Sequence, residues 1–214
     1  MKELKNKYRF HFGEKDFLVS FFISLFLITG SFFVNYYAGI YATESASNSV
    51  TDIILNNIPI FNVNWIFIYG PLLLWGFVAF LILKEPKRIP FILKSLALFV
   101  LIRSLFITLT HIGPFPDQMS FVANVPNILQ NFMFGGDLFF SGHTGSPFLM
   151  ALVFWRNIRL RLFFIATTIL FGVVVLMAHL HYSIDVLSAV FITYTIFHIA
   201  KYVFRKDYQV FLNG

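Results

Sequence analysis

Long apolar runs recur along this sequence and leave few ways in which the chain can fold. Of its 214 residues, 58% are hydrophobic and only 12% are charged, about half the charged fraction of an average soluble domain. Apolar runs of this length cross a bilayer as helices. We therefore predict an all-α, polytopic membrane protein with a bundle of six transmembrane helices, over residues 17–38, 65–83, 90–110, 141–155, 160–178 and 184–204.

The fourth predicted span, 141–155, is unusually short. At 1.5 Å per residue it extends at most about 22 Å, less than the roughly 30 Å hydrocarbon core of a bilayer. It therefore either begins inside the membrane or lies where the protein is thin.

The basic residues fall in alternate gaps between the spans, and this placement predicts the topology. The basic groups are Lys2, Lys5, Lys7, Arg9 and Lys15; Lys84, Lys87 and Arg88; Arg156, Arg159 and Arg161; and Lys201, Arg205 and Lys206. The loops in the other gaps, near 39–64, 111–140 and 179–183, contain no lysine or arginine. The positive-inside rule then predicts cytoplasmic termini, and a periplasmic, extracellular or luminal face for the other loops. The scattered basic residues form no single patch, which argues against nucleic-acid binding.

These features divide the chain into a basic, cytoplasmic N-terminal segment (1–16), a six-helix membrane domain (17–204) and a cytoplasmic tail (205–214). The loop at 111–140 contains several structure-breaking prolines and a Gly-Gly pair. Its apolar middle, 119–134, is either an interfacial or re-entrant segment that covers a site, or an ordinary connecting loop.

Two polar motifs stand out against this apolar background, one near residues 141–143 and the other near residues 179–185. The second motif contains His181 and Asp185. Residues four apart share one face of a helix, so the carboxylate can hold one ring nitrogen of the imidazole and raise the basicity of the other. That arrangement is typical of a histidine nucleophile or general base. The structural alternative is a polar pair that caps a helix.

The first motif is Ser141-Gly142-His143, which lies at the start of an apolar span. A helix N-terminus with free N–H groups favours a phosphate, and Gly142 permits close approach of the backbone. His143 is then placed to protonate a leaving oxygen. The tripeptide alone also fits a simple turn, but its pairing with His-x-x-x-Asp across two spans is far more specific.

Three further residues are candidates for the same site. Arg103 lies within the third span, where an arginine usually faces the protein interior, and its guanidinium matches phosphate oxygens; alternatively it is a structural partner of Asp137 or Asp185. A metal site formed by His179, His181 and Asp185 is the disfavoured alternative for His179, because alternate residues point in different directions on a helix and would need a loop or strand to bind one ion together. We therefore assign His143, His181 and Asp185 to catalysis, and Arg103, Asp137, Ser141, Gly142 and His179 to substrate binding, with no metal and no cofactor.

The stretches GDLFFSGHT, from Gly136 to Thr144, and AHLHYSIDV, from Ala178 to Val186, resemble the two catalytic motifs of sphingomyelin synthases. These enzymes belong to the wider type-2 phosphatidic acid phosphatase (PAP2) superfamily, and RSLFITLT, from Arg103 to Thr110, is similar to a preceding motif. The resemblance implies a metal-independent mechanism in which His181 attacks the donor phosphorus, Asp185 orients it, and His143 protonates the departing alcohol. It also implies a phospholipid donor and a lipid acceptor such as ceramide.

The sequence departs from the lipid phosphatases of that superfamily, which carry Lys-x6-Arg-Pro before Ser-Gly-His and Ser-Arg before the catalytic histidine. Here Lys94 and Arg103 are too far apart, and Val174-Val175 replaces the second pair. A doubly charged phosphomonoester would lack two cations, which favours headgroup transfer from a diester. The alternatives are a lipid phosphatase acting on phosphatidic acid or a prenyl pyrophosphate and, less favoured, a proton-coupled transporter.

Overall fold

The computed structural model describes residues 2–119 and 136–213, and this part of the chain is helical without strands. Its α-helices, numbered along the chain, are α1 (Lys2–Phe12), α2 (Lys15–Glu44), α3 (Asn64–Lys84), α4 (Ile89–Leu109), α5 (Gly142–Val153), α6 (Ile158–Met177), α7 (Ser183–Val203) and α8 (Arg205–Asn213). Two short 3-10 turns lie at Leu55–Asn57 and Pro86–Arg88. The apolar segment at 119–134 lies outside the described residues, apart from Met119.

Five helical segments are long and apolar enough to cross a membrane: Lys15–Glu44, Asn64–Lys84, Pro86–Leu109, Ile158–Met177 and Ser183–Val203. These segments support an integral, multi-pass membrane protein. The predicted count of six is not confirmed, because α5 has only 12 residues and extends about 18 Å at 1.5 Å per residue. Helices α1 and α8 form within the segments that the sequence assigned to the N-terminus and the tail.

Helix α5 occupies the centre of the bundle, in contact with α4, α6 and α7. Leu149, Met150 and Ala151 are completely buried, as expected of a helix that meets protein on all sides. Gly145 permits this packing, because a Cβ atom there would lie 2.8 Å from both the Phe99 ring and Thr193 Oγ1.

Segments that carry basic residues meet at one end of the bundle, here called the basic end. Lys7 pairs with Glu85 at 2.6 Å, which joins α1 to the segment before α4. Lys94 pairs with Asp207 at 2.7 Å and so anchors α8. The α5–α6 turn completes this end, since the Arg88 guanidinium lies 5.5 Å from the centre of the Phe154 ring.

The loops without lysine or arginine meet at the opposite end. Backbone hydrogen bonds run from Ser47 N to His111 O, Gly113 N to Asn48 O, Phe61 N to Met177 O, and Met119 N to Ala178 O, all at 2.8–3.1 Å. The α2–α3 loop therefore contacts both the loop after α4 and the end of α6. This end holds both polar motifs.

Candidate active site

The His181–Asp185 pair forms at the beginning of α7. His181 lies in the turn before the helix rather than on it, but its Nδ1 is 3.4 Å from Asp185 Oδ2. The same Asp185 oxygen accepts a 2.9 Å hydrogen bond from the Tyr182 N–H, so Asp185 also caps the helix. The carboxylate therefore caps the helix and lies close to His181, although Nδ1 has no hydrogen-bond partner among the described residues. Asp185 is fully buried and His181 is 7% exposed, so the imidazole is held in a nearly dry environment.

Ser141 and His143 lie at the N-terminus of α5. Ser141 caps the helix, because its Oγ accepts hydrogen bonds from Thr144 N at 3.4 Å and Thr144 Oγ1 at 3.2 Å. The Ser141 N–H donates to Asp185 O at 3.1 Å. This bond joins the two motifs directly and places the first turn of α5 beside the first turn of α7.

The His143 ring lies between aromatic side chains. It stacks on Phe67 of α3 at a centroid distance of 4.3 Å, and Phe171 of α6 approaches it edge-on at 6.3 Å. The backbone of Phe67 also hydrogen-bonds the imidazole, and His143 is within electrostatic range of both His181 and Arg103. The structure thus brings together the two histidines that the sequence separates by 38 positions.

Arg103 reaches this site from α4, but it also has protein partners. Its Nε donates to Phe140 O at 2.9 Å, and its Nη2 donates to Asp137 O at 2.6 Å and to Asp137 Oδ2 at 3.1 Å. The predicted structural partnership with Asp137 is therefore present. Nη1 has no hydrogen bond to the described residues. A Cβ atom at Gly142 would lie 3.2 Å from Arg103 Nε, so the guanidinium adjoins the start of α5.

His179 lies apart from the His181–Asp185 pair. Its Nδ1 is bonded to Asp117 O at 2.9 Å, and its ring meets Phe115 edge-on at 5.2 Å. The residue has a positive φ of 56°, which is uncommon for residues other than glycine. Its buried Nε2 has no hydrogen-bond partner in the described structure. The described contacts of His179 are thus with the loop after α4, and its part in substrate binding stays a prediction. No group of three or more His, Asp or Glu side chains suited to a metal ion occurs within residues 2–119 and 136–213.

Asp52 also lies at this end of the bundle, and the sequence motifs do not identify it as part of the site. Its Oδ2 accepts hydrogen bonds from Ser183 N at 2.7 Å and Ser183 Oγ at 2.8 Å, and its Oδ1 accepts from the N–H groups of Ile54 and Leu55. It thus joins the α2–α3 loop to the start of α7, two residues from His181. Asp52 is the only carboxylate within residues 45–63. This isolation in an otherwise uncharged loop is the one sequence feature that points to a role for Asp52.

Tyr182 adds a second connection at the same place. Its hydroxyl donates to Gly113 O at 2.8 Å and accepts from Val50 N at 3.3 Å. Burial raises the pKa of this phenol. The turn between His181 and Asp185 is therefore held from both neighbouring loops.

Residues 135–202 match the family model described as PAP2 superfamily C-terminal. The matched segment is about a third of the chain and contains α5, α6 and α7, so it includes both polar motifs. It supports the PAP2 superfamily, whose members are typically phosphatases or phosphotransferases. No curated protein and no solved structure matches the chain. Arg103 and Asp52 lie outside the PAP2 match, and nothing in that match selects the sphingomyelin synthase branch.

Proposed function

We propose that this protein is an integral membrane lipid phosphotransferase. It moves a phospho-headgroup from a glycerophospholipid to a lipid alcohol, such as ceramide or diacylglycerol, through a histidine-phosphoryl intermediate. The observation that carries the proposal is the 3.1 Å hydrogen bond from Ser141 N to Asp185 O, which places the first turn of α5, with His143, beside the His181–Asp185 pair.

In the first step, the lone pair on His181 Nε2 attacks the donor phosphorus. Asp185 Oδ2 lies 3.4 Å from Nδ1, and its proposed role is to orient the ring and to stabilise the positive charge that develops on it. The bond from phosphorus to the diacylglycerol oxygen breaks, and His143 gives its proton to that oxygen. The products are diacylglycerol and a headgroup phosphate bonded to His181.

In the second step, His143 removes a proton from the hydroxyl of the acceptor lipid. The acceptor oxygen attacks phosphorus, and the bond to His181 Nε2 breaks. The N-terminus of α5 and the Nη1 group of Arg103 are the donors for the phosphoryl oxygens. His143 begins the cycle protonated and regains its proton from the acceptor, so every proton and electron pair is returned, and the proposed cycle includes no metal ion and no cofactor.

The charge at the site favours transfer from a phosphodiester. Arg103 shares its charge with Asp137, and Lys94 pairs with Asp207 at the basic end. A phosphodiester carries one negative charge, which a partly neutralised arginine suits better than the two charges of a phosphomonoester. The aromatic rings of Phe67 and Phe171 around His143 also favour a lipid alcohol over water as the acceptor.

We further propose that both termini are cytoplasmic and that the active site lies on the periplasmic, extracellular or luminal face. The meeting of the basic segments at one end of the bundle supports this orientation, because cytoplasmic loops carry the excess of lysine and arginine.

Product analysis tests the proposed reaction. Membranes that contain the protein are incubated with a headgroup-labelled phospholipid and ceramide. Transfer gives a labelled sphingolipid together with diacylglycerol in equal amounts. His198→Ala is a matched control, since His198 is exposed on α7 and should retain activity, whereas His181→Ala should not. Release of free phosphate from phosphatidic acid or a prenyl pyrophosphate, without labelled sphingolipid, would instead identify a phosphatase.

A further inference from the structure

We propose that a cavity at the basic end binds the phosphate group of an anionic phospholipid. The cavity has a volume of about 180 Å³ and is lined by Lys87, Arg88, Phe154, Arg156, Tyr208 and Phe211, among others. It lies at the end of the bundle opposite the candidate active site. This proposal therefore does not depend on the proposed reaction.

The charge of the cavity selects an anion. Three cationic side chains line it, and no acidic residue does so within the described part of the chain. The two nearest carboxylates along the sequence pair outside the cavity: Glu85 pairs with Lys7, and Asp207 pairs with Lys94 and Ser20. Glu85 also interacts electrostatically with Arg88 and Lys87, so it offsets part of the positive charge, but Arg156 forms no ion pair among the described residues. Three positive charges around one small volume favour a phosphate.

The walls of the cavity suit an amphipathic ligand rather than a free ion. Phe154 forms an apolar surface beneath the Arg88 guanidinium and contacts Phe211 at a centroid distance of 5.8 Å. Leu152, Val153 and Leu212 add further apolar lining. A phospholipid presents these surfaces in the required order, with the phosphate at the cationic rim and the glycerol and acyl chains against the apolar part.

Three separate parts of the chain build the cavity: the 3-10 turn Pro86–Arg88, the α5–α6 turn and α8. Trp155, also in the lining, is 50% exposed, and tryptophan is enriched at the level of lipid headgroups. The cavity lies at the ends of apolar helices, at the level where lipid headgroups are found. We therefore assign its phosphate ligand to a membrane lipid. A bound lipid would join α8 to the α5–α6 turn.

Quenching of Trp155 by brominated lipids tests this site. Replacing the other two tryptophans of the chain, by Trp65→Phe and Trp75→Phe, leaves Trp155 as the single fluorophore. The full chain is reconstituted in phosphatidylcholine vesicles that contain either brominated phosphatidylglycerol or brominated phosphatidylcholine. We expect half-maximal quenching at a mole fraction several-fold lower for the anionic lipid. Arg156→Gln, and separately Lys87→Gln, should each raise that mole fraction about fivefold.

Arg159→Gln is the matched control, because it removes the same charge from an exposed position outside the cavity lining. It should change the preference less than twofold. Equal quenching by the two lipids would overturn the proposal, and so would an equal effect of Arg159→Gln and Arg156→Gln, which indicates a diffuse surface. Loss of the preference in millimolar inorganic phosphate would replace the lipid with a soluble phosphate as the ligand.

Discussion

His181 and His143 contribute in different ways to the proposed reaction, so their substitutions should have separable effects. We expect His143→Ala to slow transfer from a natural phospholipid about 10²–10⁴-fold, the usual contribution of a general acid. A p-nitrophenyl ester of phosphocholine has a leaving group that needs no proton. Its p-nitrophenol burst should therefore persist in His143→Ala and disappear in His181→Ala, as measured by rapid-mixing absorbance. If the burst were lost equally in both variants, the assignment of His181 as nucleophile and His143 as general acid would be contradicted.

The contact between His181 and Asp185 was predicted from their spacing, although the assumed local geometry was wrong. The spacing of four predicts one helix face, whereas α7 begins only at Ser183. The contact survives because Asp185 turns back to cap Tyr182 N. For Arg103, sequence spacing alone cannot choose between a phosphate and an acidic partner such as Asp137, and the structure shows the pair with Asp137. That choice depends on where residues 137–140 lie relative to α4.

At the scale of elements, Asp52 fixes the start of α7 to the α2–α3 loop. Burial alone would raise the pKa of its carboxyl, but hydrogen bonds from Ser183, Leu55 and Ile54 lower it below its ordinary value of 3.8. The carboxylate therefore stabilises the fold fully above that value, and the contribution is lost as the pH falls through the lower, folded-state pKa.

Asp52→Asn should lower the free energy of unfolding by about 1–3 kcal/mol at neutral pH, because an amide replaces a charged acceptor. The difference from wild type should shrink as the pH falls below 3.8. Thermal unfolding in detergent across that pH range measures both effects. Asp117→Asn serves as the control at the same end, since its side chain is exposed. An Asp117 variant as destabilised as the Asp52 variant would contradict the assigned role.

Helix α5 supplies a second prediction at this scale. Gly145→Ala places a Cβ atom 2.8 Å from Phe99 and Thr193, and such overpacking typically costs about 1–3 kcal/mol. Gly76→Ala is the control, because no heavy atom lies within 4 Å of its added Cβ. Thermal unfolding of the two variants should show a clear loss for the first and little change for the second. Equal stability of both would mean that α5 is not tightly packed between α4 and α7.

The sequence predicts elements well where composition decides them and poorly where long-range contacts do. The long apolar runs, and the basic residues in alternate gaps between them, predict where the long helices lie. A segment within lipid must satisfy its backbone hydrogen bonds internally, and a helix does so. Asp52 holds the start of α7 through Ser183, which is 131 positions away in the sequence. No local sequence pattern predicts a contact between residues so far apart. Helices α1 and α8 are not predicted from the sequence, because their apolar residues are too few to resemble a span.

At the scale of the whole molecule, the proposed orientation predicts which loops meet each aqueous compartment. The chain contains no cysteine, so single introduced thiols report accessibility without a background. In intact cells or sealed vesicles of cytoplasmic-side-in orientation, Ser49→Cys in the α2–α3 loop should react with a membrane-impermeant maleimide. Arg159→Cys near the α5–α6 turn should react only after permeabilisation. The reverse pattern would invert the proposed topology.

In the proposed reaction the headgroup phosphate passes through His181. To test this directly, the His143→Ala protein is mixed with the p-nitrophenyl donor carrying a labelled headgroup. The reaction is quenched in alkali, because alkali preserves a nitrogen–phosphorus bond. Peptide mass spectrometry then locates the label. We predict a labelled headgroup phosphate on His181, one per active chain, that disappears in the His143→Ala/His181→Ala double variant. Label on another residue, or transfer by the wild-type protein with no label on His181 under any quench, would contradict the mechanism.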